Sequence, residues 1–388
     1  MADALDNVAS VLMTTDTVGG VFTYAVELAR ALAERGVQTT LAAMGGPLSP
    51  AQREAVGHVR GLALFESPFR LEWMDDPWAD VEQAGAWLLE IEERVRPDVV
   101  HLNGYAHGAL GFRAPKLVVA HSCVLSWWDA VLKQPAPPSY TRYAQEVTRG
   151  LAAAAAVVAP TRAMMRAVVH HYGAPRRALV IPNAADPAEL RPGRKEDVVL
   201  AVGRLWDQAK NIAALGEVAP HLPWPIRVAG SDAHPGGGSL RIDTLEHLGV
   251  LSAAGVAEAL SRAAIYALPA RYEPFGLSIL EAALSGCALV LGDIPSLREV
   301  WGDAALFVAP DDTGALRRAI QSLIDDPTLR VQMASRARAR ARLYTPGQMV
   351  QRYLQLYREL LWQPRISAIW RPEQLAETPA MEAEGQCA

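Results

Sequence analysis

Arg271-Tyr-Glu-Pro-Phe-Gly-Leu-Ser-Ile-Leu-Glu281 follows an apolar run at residues 265–268 that reads as a buried strand, and it leads into an amphipathic pattern. Two carboxylates, Glu273 and Glu281, stand eight residues apart in it. Glu273 precedes a Pro-Phe-Gly turn, and Glu281 lies about a turn and a half inside the following helix. That spacing aims both carboxylates and the free N–H groups of the helix start into one cleft. A ligand with hydroxyls at two places and a phosphate between them suits such a cleft, and a nucleotide sugar has that layout. Taken alone, the pair also fits a dipole-complementing Glu273 and a solvated Glu281.

Working outward, short apolar runs alternate with helical patterns along most of the chain. Strands are predicted at residues 8–14, 39–43, 98–102, 117–120, 156–159 and 179–181, with helices at 21–35, 81–94, 140–153 and 162–172. A second series runs through strands at 198–202, 226–229, 265–268, 288–291 and 305–308, with helices at 212–219, 256–262, 276–285 and 313–324. Two further helices are expected at 327–343 and 346–361. This is an α/β pattern of two Rossmann-like domains with parallel sheets covered on both faces. The proline-rich, charged stretch 182–195 marks the boundary, which places ligand between the domains at the carboxyl ends of the strands. Residues beyond Pro364 show little periodicity and read as a disordered tail.

Leu268-Pro-Ala-Arg-Tyr-Glu-Pro-Phe-Gly-Leu-Ser-Ile-Leu-Glu-Ala-Ala-Leu-Ser-Gly286 resembles, almost position by position, the Glu-x7-Glu motif of the GT-B glycosyltransferases, above all the retaining family 4. The resemblance extends from about Val8 to about Tyr357. It implies a GT-B fold, with an acceptor-side domain over residues 1–183 and a nucleotide-sugar domain over 184–345. A helix over 346–363 would cross back to the first domain, leaving a tail at 364–388. It further implies transfer of a hexose from a UDP- or GDP-linked donor to a carbohydrate or other hydroxyl acceptor, with retention. Glu273 would then orient the sugar hydroxyls and Glu281 the ribose. Backbone N–H groups around Phe275, Gly276, Leu277 and Ser278 would meet the sugar or phosphate.

Other residues fall in place around this reading. Gly19-Gly20 follows the first strand and opens a helix, where backbone N–H groups can approach a phosphate; a tight-turn role fits the same pair. Arg204 and Lys210 flank a turn directly after the strand at 198–202. As the family's phosphate pair they would neutralise the leaving diphosphate, although a cation at a strand end is commonly just solvated. His121 ends the strand at 117–120, where the family places a histidine near the donor sugar; a capping histidine is the alternative. Asn103 and His107 are acceptor-side candidates, though turn chemistry accounts equally well for Asn103-Gly104. Trp127, with Trp128, Tyr140 and Tyr143, could stack on a sugar or simply pack. Gly249 and Val250 lie in the segment that resembles the family's backbone reader of the nucleotide base. His170-His171 is expected to complement a helix dipole, and the glycine-rich residues 234–238 to form a mobile loop. The interdomain Pro-Asn183-Ala-Ala departs from the commoner family form in a way that bears on the linker turn and not on the catalytic set, and the departure of the Asp16-Thr-Val-Gly-Gly loop leaves the acceptor open.

Composition narrows the alternatives. The 388 residues carry a formal charge of −5, spread over both halves, which argues against nucleic acid as a partner and against strong attachment to anionic lipid, a local patch aside. Three cysteines without metal-ligand spacing and an acidic N-terminus suggest a cytoplasmic protein with reduced thiols. No apolar run reaches the length of a membrane span, and a homodimer is compatible with the chain. No Asp-x-Asp follows a strand, so no metal and no cofactor beyond the donor is expected. A dehydrogenase is disfavoured because the G-x-G-x-x-G fingerprint and the ribose acid after the second strand are missing. The remaining rivals are an epimerase or phosphorylase on the same fold, and a non-catalytic sugar-binding protein.

Overall fold

A computed structural model describes residues 8–233 and 238–362. The first sheet has seven strands: β1 (Ser10–Asp16), β2 (Gln38–Met44), β3 (Ala63–Glu66), β4 (Val99–Leu102), β5 (Lys116–Val119), β6 (Ala156–Ala159) and β7 (Ala178–Val180). Their spatial order is β3-β2-β1-β4-β5-β6-β7, every pair parallel. The second sheet has six: β8 (Glu196–Val202), β9 (Ile226–Ala229), β10 (Glu246–Gly249), β11 (Ala263–Leu268), β12 (Ala288–Gly292) and β13 (Leu306–Val308). Their order is β10-β9-β8-β11-β12-β13, again all parallel.

Both sheets reverse their winding once, between β1 and β4 in the first and between β8 and β11 in the second. Ligands of doubly wound sheets bind outside the carboxyl ends of the strands at such switch points. Gly19-Gly20 follows β1, Asn103 follows β4, Arg204 follows β8 and Glu273 follows β11. Four candidates chosen from sequence therefore stand at the two switch points.

The first domain's helices are α1 (Gly20–Ala33), α2 (Pro50–Gly57), α3 (Trp78–Val95), α4 (Val124–Trp127), α5 (Thr141–Ala153) and α6 (Arg162–Tyr172); the second domain's are α7 (Ile212–Val218), α8 (Ala253–Arg262), α9 (Leu277–Leu284), α10 (Pro295–Trp301), α11 (Thr313–Asp325) and α12 (Pro327–Ala341). Local chemistry sets their starts. The Asp312 and Asp326 carboxylates accept from Ala315 N (2.7 Å) and Leu329 N (2.9 Å), which caps α11 and α12. Ser49 and Gln52 form a capping box at α2, an element the sequence pattern alone did not predict. The edge strands β3 and β10 and the short helices α4 and α10 were likewise unpredicted.

A final helix, α13 (Pro346–Trp362), returns from the second domain to the first. Met349, Val350, Tyr353, Leu354, Leu356, Tyr357 and Leu360 share one core with Val11, Met13, Phe22, Tyr24 and Leu28. The other face of the first sheet is covered by α3, α5 and α6 through Leu88, Ile91, Val147, Leu151, Met165 and Val168. The expected tail at 364–388 lies outside the described residues, as do residues 234–237 of the expected glycine-rich loop.

Candidate active site

Glu273 lies midway along the loop between β11 and α9. It is 9% exposed and forms a salt bridge with Lys210, which comes from the loop after β8. Two short loops of adjacent strands thus deliver opposite charges to one point. The Lys210 loop is clamped from behind. Asp207 Oδ1 accepts from Ala209 N (3.0 Å), and Arg271 N donates to the Ala209 carbonyl (2.8 Å). Asn211 adopts a left-handed φ of 56° and donates its amide to the Pro269 and Pro310 carbonyls, at 2.9 and 2.8 Å. Serine follows the same logic on the other side: Ser296 Oγ donates to the Glu273 carbonyl (2.6 Å).

Arg204 lies beneath the first domain's loop. Its Nη2 donates to Asp207 Oδ2 (2.7 Å), its guanidinium stacks 5.0 Å from the Trp206 ring, and its buried Nε has no hydrogen-bond partner among the described residues. A methyl group built on Gly19 would stand 3.5 Å from Arg204 Nη1, and one on Gly20 would stand 3.6 Å from Leu277 Cδ1. Gly19-Gly20 therefore faces Arg204 and the start of α9 across the cleft. Asp16 holds that loop by accepting from Val18 N (3.1 Å) and Gly19 N (3.2 Å). Burial raises the Asp16 carboxyl pKa, opposed by those N–H groups and by the Arg204 charge.

Gly276 precedes α9 with φ of 91°, a left-handed value that favours glycine. The first intrahelical bond runs from Leu280 N to the Gly276 carbonyl, so the N–H groups of Leu277, Ser278 and Ile279 open the helix ahead of it. Phe275 is buried edge-to-face on Tyr344, with ring centres 5.5 Å apart. The Ser278 hydroxyl pairs internally with Tyr266 Oη at 2.8 Å. Only its backbone is left for a ligand.

Glu281 sits further along α9. Burial, and then the charge of Glu27 on α1, push its pKa up to about 7. A carboxyl raised from 4.5 holds its proton in the folded state while the unfolded chain has lost it. Its contribution therefore disfavours folding as pH rises from 4.5 through 7. Glu281→Gln should then stabilise the free protein at pH 8, by on the order of 3 kcal/mol at most, and leave it unchanged at pH 4. Denaturant melts at the two pH values check this; equal shifts at both would contradict it.

Three acceptor-side candidates have partners inside the protein, and for Trp127 packing was one of the two roles the sequence allowed. His107 turns its Nε2 into the protein, donating to the Val81 carbonyl (3.0 Å), and its ring packs against α3; it is a structural tie, not an acceptor contact. Asn103 spends its amide internally: Nδ2 donates to the Thr14 carbonyl (2.7 Å), and Oδ1 faces His121 Nε2 (2.8 Å) and His101 Nε2 (3.2 Å). Trp127 packs edge-to-face on Trp128 with centres 6.0 Å apart, in a row continued by Tyr140 and Tyr143. His121 is half-buried after β5, and burial lowers its pKa to about 3. Gly249 takes a φ of 69° and its carbonyl accepts from Gly230 N (2.9 Å), while Val250 is 77% exposed.

Several residues that tie the site together were missed in the sequence. Tyr272 Oη accepts from Cys123 N (3.1 Å) and meets Ser126 Oγ (2.8 Å) across the interdomain boundary. Glu299 on α10 accepts from Arg162 N (2.7 Å) and Ala163 N (2.9 Å), capping α6 of the other domain. Glu72 accepts from Tyr105 N (2.9 Å) and Ala106 N (2.7 Å), and burial raises its pKa. Asp129, His170 and His171 bring ligand atoms within 4.8 Å of one another, at the end of α6 away from the end that Glu299 caps. Among the described residues no helix is long and apolar enough to cross a membrane.

A parallel-sheet pair with two switch points facing each other, and cations and carboxylates converging between them, defines a GT-B glycosyltransferase. Residues 18–189 match the family described as Glycosyltransferase Family 4, and residues 182–340 match Glycosyl transferases group 1. The chain belongs to this family of glycosyltransferases. A D-inositol 3-phosphate glycosyltransferase from Kineococcus radiotolerans is 26% identical over 397 residues, 89% of this chain and 91% of that protein. One of the same description from Nocardia farcinica is 28% identical over 395 residues, 90% of this chain and 86% of that protein. Among solved structures, sucrose-phosphate synthase from Thermosynechococcus elongatus superposes with a TM-score of 0.76 at 20% identity, covering 91% of this chain and 99% of that one. An Anabaena protein, HepE, solved with UDP-glucose, gives 0.70 at 16% identity over 89% of this chain and 98% of that one. At such identities these two structures speak for the fold.

Proposed function

We propose that this glycosyltransferase moves a hexose, with retention, from a UDP- or GDP-linked donor to a hydroxyl of a carbohydrate or small polyol. Residues 184–345 hold the donor and residues 1–183 the acceptor. The observation that carries the reading is the convergence of Arg204, the Lys210–Glu273 pair and the α9 start beneath Gly19-Gly20.

In this reading Arg204, Lys210 and the N–H groups of Leu277 and Ser278 bind the diphosphate. They stabilise the charge that grows as the bond from the anomeric carbon to phosphate oxygen breaks. Glu273 orients the sugar hydroxyls and Glu281 the ribose. The acceptor oxygen bonds to the anomeric carbon on the face the phosphate leaves, and its proton passes to the departing phosphate. His121, neutral and fixed by Asn103, is no general base. The inositol phosphate in the relatives' names favours a phosphorylated polyol as the first acceptor to try.

Screening UDP- and GDP-hexoses for thermal stabilisation, then testing the best donor against a polyol and polyol-phosphate panel, tests the proposal. Nucleotide released only with acceptor present supports transfer. Release without acceptor, or a 2-epimerised donor, favours a rival enzyme on this fold. Turnover should persist in excess chelator, since Arg204 and Lys210 occupy the place a divalent ion would take beside the diphosphate. Loss with chelator, restored by magnesium or manganese, would refute metal independence.

A further inference from the structure

Asp129, His170 and His171 each bring one metal-ligating atom to a common point on the first domain, and the three atoms lie within 4.8 Å of one another. Among the described residues no other trio of histidine, cysteine or carboxylate side chains converges in this way. The three come from two separate elements. Asp129 belongs to a one-turn π-helical segment, Trp128–Leu132, that directly continues α4, and the histidines belong to the last turn of α6. Single π-helical turns are rare and concentrate at functional sites.

The convergence runs against the local spacing. Consecutive residues on a helix point about 100° apart and do not face each other. At the end of α6 the His170 and His171 rings nevertheless meet edge-to-face, with centres 4.8 Å apart. His171 Nε2 lies 3.2 Å from Asp129 Oδ2. Two ligand atoms bound at about 2.0–2.1 Å to one tetrahedral zinc ion stand about 3.3–3.4 Å apart, so this pair already has the spacing such an ion needs. His170 is exposed, and a rotation of its side chain completes the set. Complementing the α6 dipole would use only one of the two rings, because two imidazolium groups in contact repel and a single carboxylate faces them. Two neutral imidazoles and one carboxylate instead suit a borderline-soft divalent ion, with water in its fourth position.

We propose that Asp129, His170 and His171 bind one divalent transition-metal ion of zinc's class, which pins the π-helical turn to the end of α6. Both pinned elements meet the second domain. Cys123 and Ser126 at α4 contact Tyr272, while the start of α6 is capped by Glu299 and sends Thr161 Oγ1 to the Pro274 carbonyl (3.0 Å). The 11 residues of α6 put the ion about 16 Å from that start, so it stiffens a wall of the cleft and takes no part at the diphosphate. The site is independent of which donor and acceptor the protein uses.

Calorimetric titration of zinc chloride into the tag-free full chain, first stripped with chelator, tests the site. The expected result is one ion per chain, bound at least about 10-fold more weakly by each of Asp129→Asn, His170→Gln and His171→Gln. Zinc should raise the Tm of the wild type but not of the Asp129→Asn/His171→Gln double variant. Magnesium, a hard ion that prefers oxygen ligands, should raise neither. Nitrogen-15 spectra of the histidine-labelled wild type give a readout that needs no variant: zinc should shift the ring nitrogens of two of the nine histidines. Turnover measured well below the Tm should not change on chelation. No saturable zinc binding, affinity undiminished in the folded variants, no shifted histidine pair, or equal stabilisation by magnesium would each overturn the proposal. Turnover lost on chelation and restored by zinc would overturn the structural role given to the ion.

Discussion

Lys210→Met should lower kcat by on the order of 10²–10³ with little change in fold. Lys210 is one of four lysines among 388 residues, and its ammonium meets a Glu273 carboxylate that is 9% exposed. Methionine keeps the stem and removes the charge. Glu273 is then left buried without its cation, and the leaving diphosphate loses a point charge in the cleft. The loss should fall on kcat more than on donor KM, because the phosphate charge grows as the bond breaks. Arg204 cannot substitute, since Asp207 and Trp206 hold its guanidinium at its own place in the cleft and it cannot reach the point where Lys210 meets Glu273. Steady-state kinetics on a variant with native-like melting checks this. A kcat within threefold of wild type would remove Lys210 from the chemistry.

Tyr353→Ala should cost about 3–5 kcal/mol, a large share of the stability of an ordinary domain. Tyr353 is fully buried in the core that α13 shares with α1 and the first sheet. Its hydroxyl accepts from Tyr24, so truncation opens a cavity and leaves a buried donor unpaired. Tyr353→Phe keeps the ring and should cost only about 1–2 kcal/mol. Chemical denaturation of both variants decides it. Equal costs would mean that α13 is held by the hydroxyl and not by burial of the ring.

The alternating pattern made the two sheets legible because buried parallel strands such as β11 and β12 are continuous apolar runs. Two of the four edge strands, β3 and β10, were not legible, whereas β7 and β13 were. β3 (Ala-Leu-Phe-Glu) and β10 (Glu-His-Leu-Gly) each have one covered side and charged ends, so their run is too short to stand out. Arg204, Lys210, Glu273 and Gly19-Gly20 were singled out by the family resemblance of the text around them, and each stands after a strand at one of the two switch points.

What lay beyond the sequence was the wiring between distant segments. His101 reads as one polar residue in Val-Val-His-Leu, and nothing local says that tyrosines 77 and 256 positions away complete it. The signal that existed was the Tyr353–Tyr357 spacing on α13, which puts both hydroxyls on one helix face. His107 misled for the opposite reason. It follows a strand that ends at the cleft, but the short turn after β4 carries it back to α3.

The central claim is that this cleft binds a nucleotide sugar through Arg204 and Lys210. Calorimetric titration of UDP- and GDP-hexoses into the wild type and the Arg204→Ala/Lys210→Ala double variant, with chelator present, tests it most directly. The account predicts saturable binding of at least one donor by the wild type, and affinity at least about 100-fold weaker in the folded double variant. Equal affinity in the two proteins, or binding that requires added metal, would contradict it.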